Sequence, residues 1–312
     1  MDRIIQGLSE RAAELASQPG ETRLRDALPS GPALQMIPLV LQRADELGII
    51  ATDRLLRRDS RGADTLALAL SYAFWAQAMD GCQRAALGVG NRAPFRGGDV
   101  AMFLWCLAVA RAPADVSLVW GHRLHGLATE RGLADDILDD PVAAFMETLL
   151  DAFCGTRPLS AEKVHPGPDA FGPLLRAIGT PSWEAELANY CDYRLSRAYE
   201  FPSREAPRAK PGSYYFFNRQ WFAIVPLELL ALKAVHDRHA EAPLSLDVDH
   251  PLLRTPCVNL PSVERLISDE VLDAVIRRYE TEFGTGWQPF VVLAPNRKHV
   301  GGLLRRLFGW LH

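Results

Sequence analysis

The chain lacks an apolar run long enough to cross a bilayer. Its longest, residues 100–110 (VAMFLWCLAVA), falls short of the roughly 20 residues that a spanning helix needs. That run reads as a helix buried on all sides, and the membrane is not an expected partner. Cysteine is scarce, odd in number and scattered, at Cys82, Cys106, Cys154, Cys191 and Cys257. That scatter and odd number do not suit a disulfide framework, and no CxxC pair occurs. Cys82, Cys106 and Cys191 fall within helical apolar patterns, where thiols pack as small hydrophobes, and this usage suits a reducing cytoplasm. An excess of basic charge is also missing. The formal net charge is −4, so nucleic acid is not an expected partner. The first residues, MDRIIQGLSERAAELASQ, hold charges throughout and read as an amphipathic helix rather than a secretion signal. No GxSxG elbow, Walker loop, GxGxxG fingerprint or HExxH pair occurs.

What is present is helical periodicity over most of 312 residues, with enough apolar residues (48%) for a sizeable core. An apolar stripe with Pro38 as an early interruption predicts a helix over 33–48. Asp64 is the expected cap of a long helix to about Val89, with Leu66, Leu70, Phe74 and Ala78 every four residues and Ala67, Tyr72 and Trp75 widening the face. The glycine-rich stretch 88–98 is a turn, Asp99 caps the buried helix, and residues 114–130 give another. Asp140 and Pro141 open a helix that ends at Gly155.

Thr180, Pro181 and Ser182 open the next helix, through Trp183, Leu187, Tyr190 and Leu195. A helix from about Asn218 to His239 should kink at Pro226, which lacks a backbone donor. Residues 243–257 are extended, with one short strand allowed at 244–248. Ser268 is the expected cap of a helix through Phe283, and 299–310 form a basic amphipathic helix. The expected fold is therefore all-α, a multi-helix bundle or array with at most one very short strand pair. A single large helical domain, 1–312, is the simplest organisation. A division into halves 1–155 and 171–312 would use the proline-rich segment 156–170 as its linker.

Two acidic groups invite chemistry. Asp135, Asp136 and Asp139 form a DDxxD motif, and clustered carboxylates suit a hard cation such as magnesium. Asp192, Ser196 and Glu200, at i, i+4 and i+8, share one helix face. This pairing resembles the two metal motifs of class I isoprenoid and terpenoid synthases, which are all-α. The pattern departs from theirs in three ways. Their first motif lies early in the chain, whereas Asp135 sits near the middle of this one. Their motifs lie much farther apart than Asp135 and Asp192 do, and Asp139-Asp140-Pro141 reads as a loop and cap rather than a cavity wall. A solvated acidic turn or an acidic binding patch explains the same residues. The pairs His122/His125 and His236/His239 have i, i+3 spacing but no ligand-like carboxylate pattern, so no metal or other cofactor is expected.

The most informative stretch is 221–260, WFAIVPLELLALKAVHDRHAEAPLSLDVDHPLLRTPCVNL. An aromatic approach (Tyr214, Tyr215, Phe216, Phe217, Trp221) precedes Pro226-Leu227-Glu228, then His236-Asp237-Arg238, then Asp249-His250-Pro251-Leu252-Leu253. It resembles the C-terminal signature of the bacterial immunity protein 49 family, all-α proteins of polymorphic-toxin loci. The resemblance implies a non-enzymatic antitoxin that binds a cognate toxin encoded by an adjacent gene. Such a toxin would be a nuclease acting in the cytoplasm and delivered by contact-dependent or type VI secretion. A nuclease carries a basic groove, so acidic surface on the inhibitor is the expected contact. Glu130, Asp135, Asp136, Asp139 and Asp140 form the larger candidate patch, and Asp247 with Asp249 the smaller.

Overall fold

The computed structural model describes residues 1–17, 21–29, 33–87, 145, 148–149, 151–153, 158–159, 171–196, 220–260 and 267–283. Over these residues the chain is helical and holds no strand, in keeping with the all-α expectation. The helices are α1 (Asp2–Ser17), α2 (Glu21–Ala27), α3 (Ala33–Leu56), α4 (Arg61–Leu87), α5 (Phe171–Ala177), α6 (Trp183–Ser196), α7 (Leu227–His239) and α8 (Glu270–Phe283). Two 3₁₀ turns, Gln220–Ala223 and Pro256–Val258, flank α7. Among the described residues, no helix is long and apolar enough to cross a membrane.

Helix α3 is the central element. It packs against α1, α2, α4 and α8 and against both 3₁₀ turns. Its sequence permits this because apolar or small residues face in several directions, with Met36, Val40, Ala44, Leu47, Gly48, Ile49, Ala51 and Thr52 all buried. Gly48 is required by one neighbour, since a Cβ there would lie 2.4 Å from the Trp221 indole. Pro38 is exposed in the second turn, so the hydrogen bond it removes lies at the helix start. By contrast α1 buries one stripe, Ile4, Leu8, Ala12 and Leu15. Polar contacts join the layers. Arg43 reaches Glu21 on α2 at 3.2 Å, and the Tyr72 hydroxyl donates to Asp269 at 2.7 Å, tying α4 to the start of α8.

The expected face of α4 is buried at Leu66, Ala67, Leu70, Tyr72, Phe74 and Trp75, and Ala69, Ser71, Ala73 and Ala76 are buried too, so this stretch is covered almost all round. One apolar cluster runs from Ile4 through Phe145, Phe171 and Tyr190 to Tyr279, and Leu159 packs against it.

Four local expectations are corrected. Helix α4 starts at Arg61, not beside Asp64, because Asp59 accepts the Arg61 N–H at 3.0 Å and also binds its guanidinium. The cap of α8 is Asp269, not Ser268, since its carboxylate accepts the Leu272 N–H at 2.8 Å. Pro226 does not kink a continuous helix. It separates the 3₁₀ turn from α7 and occupies the cap position of α7, where its carbonyl accepts from Leu229 and Leu230. Residues 244–248 form no strand, for a reason visible in their partners below. Thr180 and Ser182 do open α6, with Gly179 at φ +73° ending the preceding turn. The elements expected over 88–130, the start at Asp140 and Pro141, and the 299–310 helix lie outside the described residues, as do His122 and His125.

Candidate functional site

Helix α6 has two faces with opposite tasks. Trp183, Leu187, Tyr190 and Arg194 follow one another at helical spacing and all point inward. An arginine on an apolar stripe must be paired or its burial is prohibitive. Its partner comes from α7, where Glu228 stands between Leu227 and Leu229 and is itself buried. The Arg194 Nε and Nη2 atoms donate to the Glu228 carboxylate, and the Tyr190 hydroxyl donates to the same carboxylate at 3.0 Å. The remaining guanidinium donors reach backbone. Nη1 donates to the Ala223 carbonyl at 2.7 Å, and Nη2 donates to the carbonyls of Phe222 and Val225.

These carbonyls belong to the end of the 3₁₀ turn and the break before Pro226. The Val225 carbonyl also accepts the Leu227 N–H at 2.9 Å, whereas those of Phe222 and Ala223 look to the guanidinium because Pro226 has no N–H to offer. Arg194 therefore replaces the missing helix and fixes how α7 starts. Burial works against the Arg194 charge, but the Glu228 carboxylate outweighs it and holds the guanidinium above its ordinary pKa. Burial, then Glu228, pushes the Tyr190 phenol well up, so it remains a donor.

A strap, residues 243–255, crosses from α7 back past α6, and side chains pin it. The Asp237 carboxylate accepts the Leu244 N–H at 2.6 Å, and Lys233 donates to the Leu244 carbonyl at 2.7 Å and to Asp237 at 2.6 Å. The Trp183 indole N–H donates to the Ser245 carbonyl at 2.8 Å. Further along, the Val248 and His250 N–H groups bond to carbonyls only two residues back. Each of these bonds takes a backbone group that a β-ladder would use, which is why the strap is extended without being a strand. Burial of Asp237 opposes its charge, yet Lys233 and the Leu244 N–H hold its carboxyl below the ordinary range.

The outward face of α6 meets this strap at His250. Its ring is buried. Nδ1 accepts the Leu252 N–H at 3.1 Å, which leaves the proton on Nε2, facing the Asp192 carboxylate at 3.2 Å. Asp192 is 79% exposed and Asp249, ion-paired with Arg254, is 80% exposed. Asp247 is exposed as well. The structure thus brings Asp192 up against the strap that bears Asp247 and Asp249, a grouping not visible from either sequence pattern alone.

Of the remaining candidates, Ser196 gives its hydroxyl to the Tyr193 carbonyl at 2.6 Å. His236 lies against Asp237 at 3.4 Å, with His239 exposed one turn on. Glu130, Asp135, Asp136, Asp139, Asp140 and Glu200 lie outside the described residues. Among the described residues no three His, Cys, Asp or Glu side chains are grouped to hold a metal ion. Sequence reasoning missed Arg194 and gave Glu228 no role. The available signal was one cation and one anion, each on the apolar face of its helix. No protein-family model, no curated protein and no solved structure matches this chain.

Proposed function

We propose that the chain is a binding protein of the antitoxin type, which neutralises a cognate bacterial effector toxin by covering it. The observation that carries this reading is the division of charge. The interior pair Arg194–Glu228 is wholly occupied with holding backbone, while the carboxylates of Asp192 and Asp249 stand out into solvent on a pinned surface. A fixed acidic surface steers and orients a basic partner, such as the substrate groove of a nuclease. The resemblance of 221–260 to the immunity protein 49 signature supports the same function, with the toxin met in the cytoplasm. Glu130, Asp135, Asp136, Asp139 and Asp140 supply a second acidic contact on this reading.

The test is co-purification with the product of the adjacent gene, followed by growth rescue in cells expressing that product. The wild-type chain should form a complex and restore growth. Asp192→Lys with Asp249→Lys should slow association and steepen the loss of rescue as toxin is induced, without unfolding the chain. An adjacent product that neither binds nor harms the cell would refute the proposal.

A further inference from the structure

The turn between α3 and α4 contains the one non-glycine residue with positive φ among the described residues, Arg58 at φ +58°. Its position explains the angle. The Arg58 N–H bonds to the Leu55 carbonyl at 2.9 Å and the Asp59 N–H to the Arg54 carbonyl at 2.9 Å. These two bonds close the end of α3 as a Schellman motif, whose first residue beyond the helix must be left-handed and is usually glycine. The turn cannot relax around the side chain. Gly62 brings the first turn of α4 so close to Leu55 that a Cβ there would lie 2.9 Å from it, and the Gly62 N–H bonds to the Asp59 carbonyl at 2.9 Å.

The backbone angle is repaid by the two bonds that close α3, a task that glycine would perform without strain, but the arginine side chain takes no part in them. The Arg58 side chain is exposed and, among the described residues, its guanidinium has no partner. Its neighbours show the same outward bias. Arg57 is 65% exposed against 15% for its partner Asp53, and Arg61 is 71% exposed against 25% for its partner Asp59. The aspartates lie beneath and the guanidinium groups on top, so this end of the hairpin presents positive charge on a chain whose net charge is −4.

We propose that the α3–α4 tip is an interaction surface for an acidic protein segment, with Arg58 as its central contact. A strained side chain at a glycine-type position, with no internal contact of its own, is what a presented binding group requires. A guanidinium matches a carboxylate in a two-pronged geometry. A nucleic acid fits less well. Asp59 lies in the turn, Asp53 in the last turn of α3 and Asp64 in the first turn of α4, and the chain is acidic as a whole, so a continuous phosphate backbone is repelled where a discrete group of carboxylates is not. This surface is independent of the acidic one around Asp192.

The test uses the full chain, its Arg58→Gly and Arg58→Lys variants, and two probes: a hexaglutamate peptide and a phosphodiester oligonucleotide of equal charge. Amide chemical shifts are followed by NMR during titration, and stability by urea denaturation. With the wild type, hexaglutamate should shift the amides of 57–61 saturably, and added salt should weaken the effect. Arg58→Gly should bind about fivefold more weakly, the size of an exposed ion pair, while its denaturation midpoint rises because the strain is gone. Arg58→Lys should retain more binding than Arg58→Gly. An unchanged affinity in Arg58→Gly, or a lowered midpoint, would overturn the proposal. Tighter binding of the oligonucleotide through Arg58 would overturn the choice of partner.

Discussion

Replacing Arg194 with methionine should destabilise the protein far more than replacing its partner, by Glu228→Gln. Both side chains are almost completely buried, at 0% and 1% exposure. Glu228→Gln keeps an acceptor for Tyr190 and for the Arg194 Nε, and the guanidinium remains solvated by the carbonyls of Phe222, Ala223 and Val225. The loss is the counter-charge of a buried guanidinium, about 3–5 kcal/mol. Arg194→Met strands a buried carboxylate, which by itself costs about 3–5 kcal/mol. It also removes the donors of the Phe222 and Ala223 carbonyls, at about 1–3 kcal/mol for each that water cannot reach, while the Val225 carbonyl keeps the Leu227 N–H. The total rivals the whole stability of an ordinary domain, about 5–15 kcal/mol. Urea denaturation followed by far-ultraviolet circular dichroism measures both variants. Arg194→Met should be largely unfolded or nearly so without denaturant, and Glu228→Gln should unfold cooperatively at a lower midpoint. Equal losses, or a larger loss in Glu228→Gln, would refute the assignment of Arg194 as the group that replaces the missing helical donors.

Gly48→Ala should lower stability by about 1–2 kcal/mol, because the clash with the Trp221 indole exceeds the roughly 1 kcal/mol that alanine gains in helix propensity. Differential scanning calorimetry would detect it, and a raised melting temperature would contradict the close approach. Burial pushes the Cys191 and Cys257 thiols up to about 12, so iodoacetamide at neutral pH should leave both unmodified in the native protein, as peptide mapping would show. Asp237 has a depressed native pKa, so its contribution is complete above the unfolded carboxyl value, about 3.9, and disappears as pH falls through the lower native one. Hydrogen exchange of the Leu244 amide should therefore lose protection in that acid window, and Asp237→Asn should lack the transition. NMR of His250 should find the proton on Nε2 at neutral pH. An Nδ1 proton would contradict the bond from the Leu252 amide.

Helices α2 and α5, seven residues each, are too short to show a stripe and are not among the helices expected from the sequence. The longer helices were legible because they do show one, and the stripes of α1, α4 and α6 are buried as their spacing requires. Their ends were less so. Asp269 and Ser268 are both good caps by local rules, and the choice between them rests in part on Tyr72, which lies 197 positions away in sequence and also bonds to the Asp269 carboxylate. Asp64 is the nearer acidic residue to the apolar run, but the Schellman turn at Arg58 lets α4 begin four residues sooner than a cap at Asp64 would. In the strap, Leu244, Leu246 and Val248 alternate with polar residues, as they would in a strand. Alternation reports which side chains are buried, and Leu244 and Leu246 are; it does not report whether a neighbouring strand exists to take the backbone. Here Asp237, Lys233 and Trp183 take it instead.

The same residues explain why a site was hard to read from composition. Charged side chains in this chain serve three purposes that look alike in sequence. Arg194 and Glu228 hold backbone in the interior, Asp237 and Lys233 fasten the strap, and Asp192 and Asp249, though partnered by His250 and Arg254, stay about four-fifths exposed. Only burial separates them, and burial depends on elements far apart in the chain. Asp192 is instructive because its neighbours in the helix, Cys191 and Arg194, are fully buried. A helix whose one face is anchored this firmly cannot rotate, so its opposite face is held in a fixed orientation. The buried arginine therefore bears on recognition without touching a partner. If Arg194 fixes α6 and the start of α7, then weakening the network by Glu228→Gln should loosen the surface formed by Asp192 and the strap before the fold is lost. Partner binding should then weaken through lost preorganisation, with the exposed carboxylates themselves unchanged.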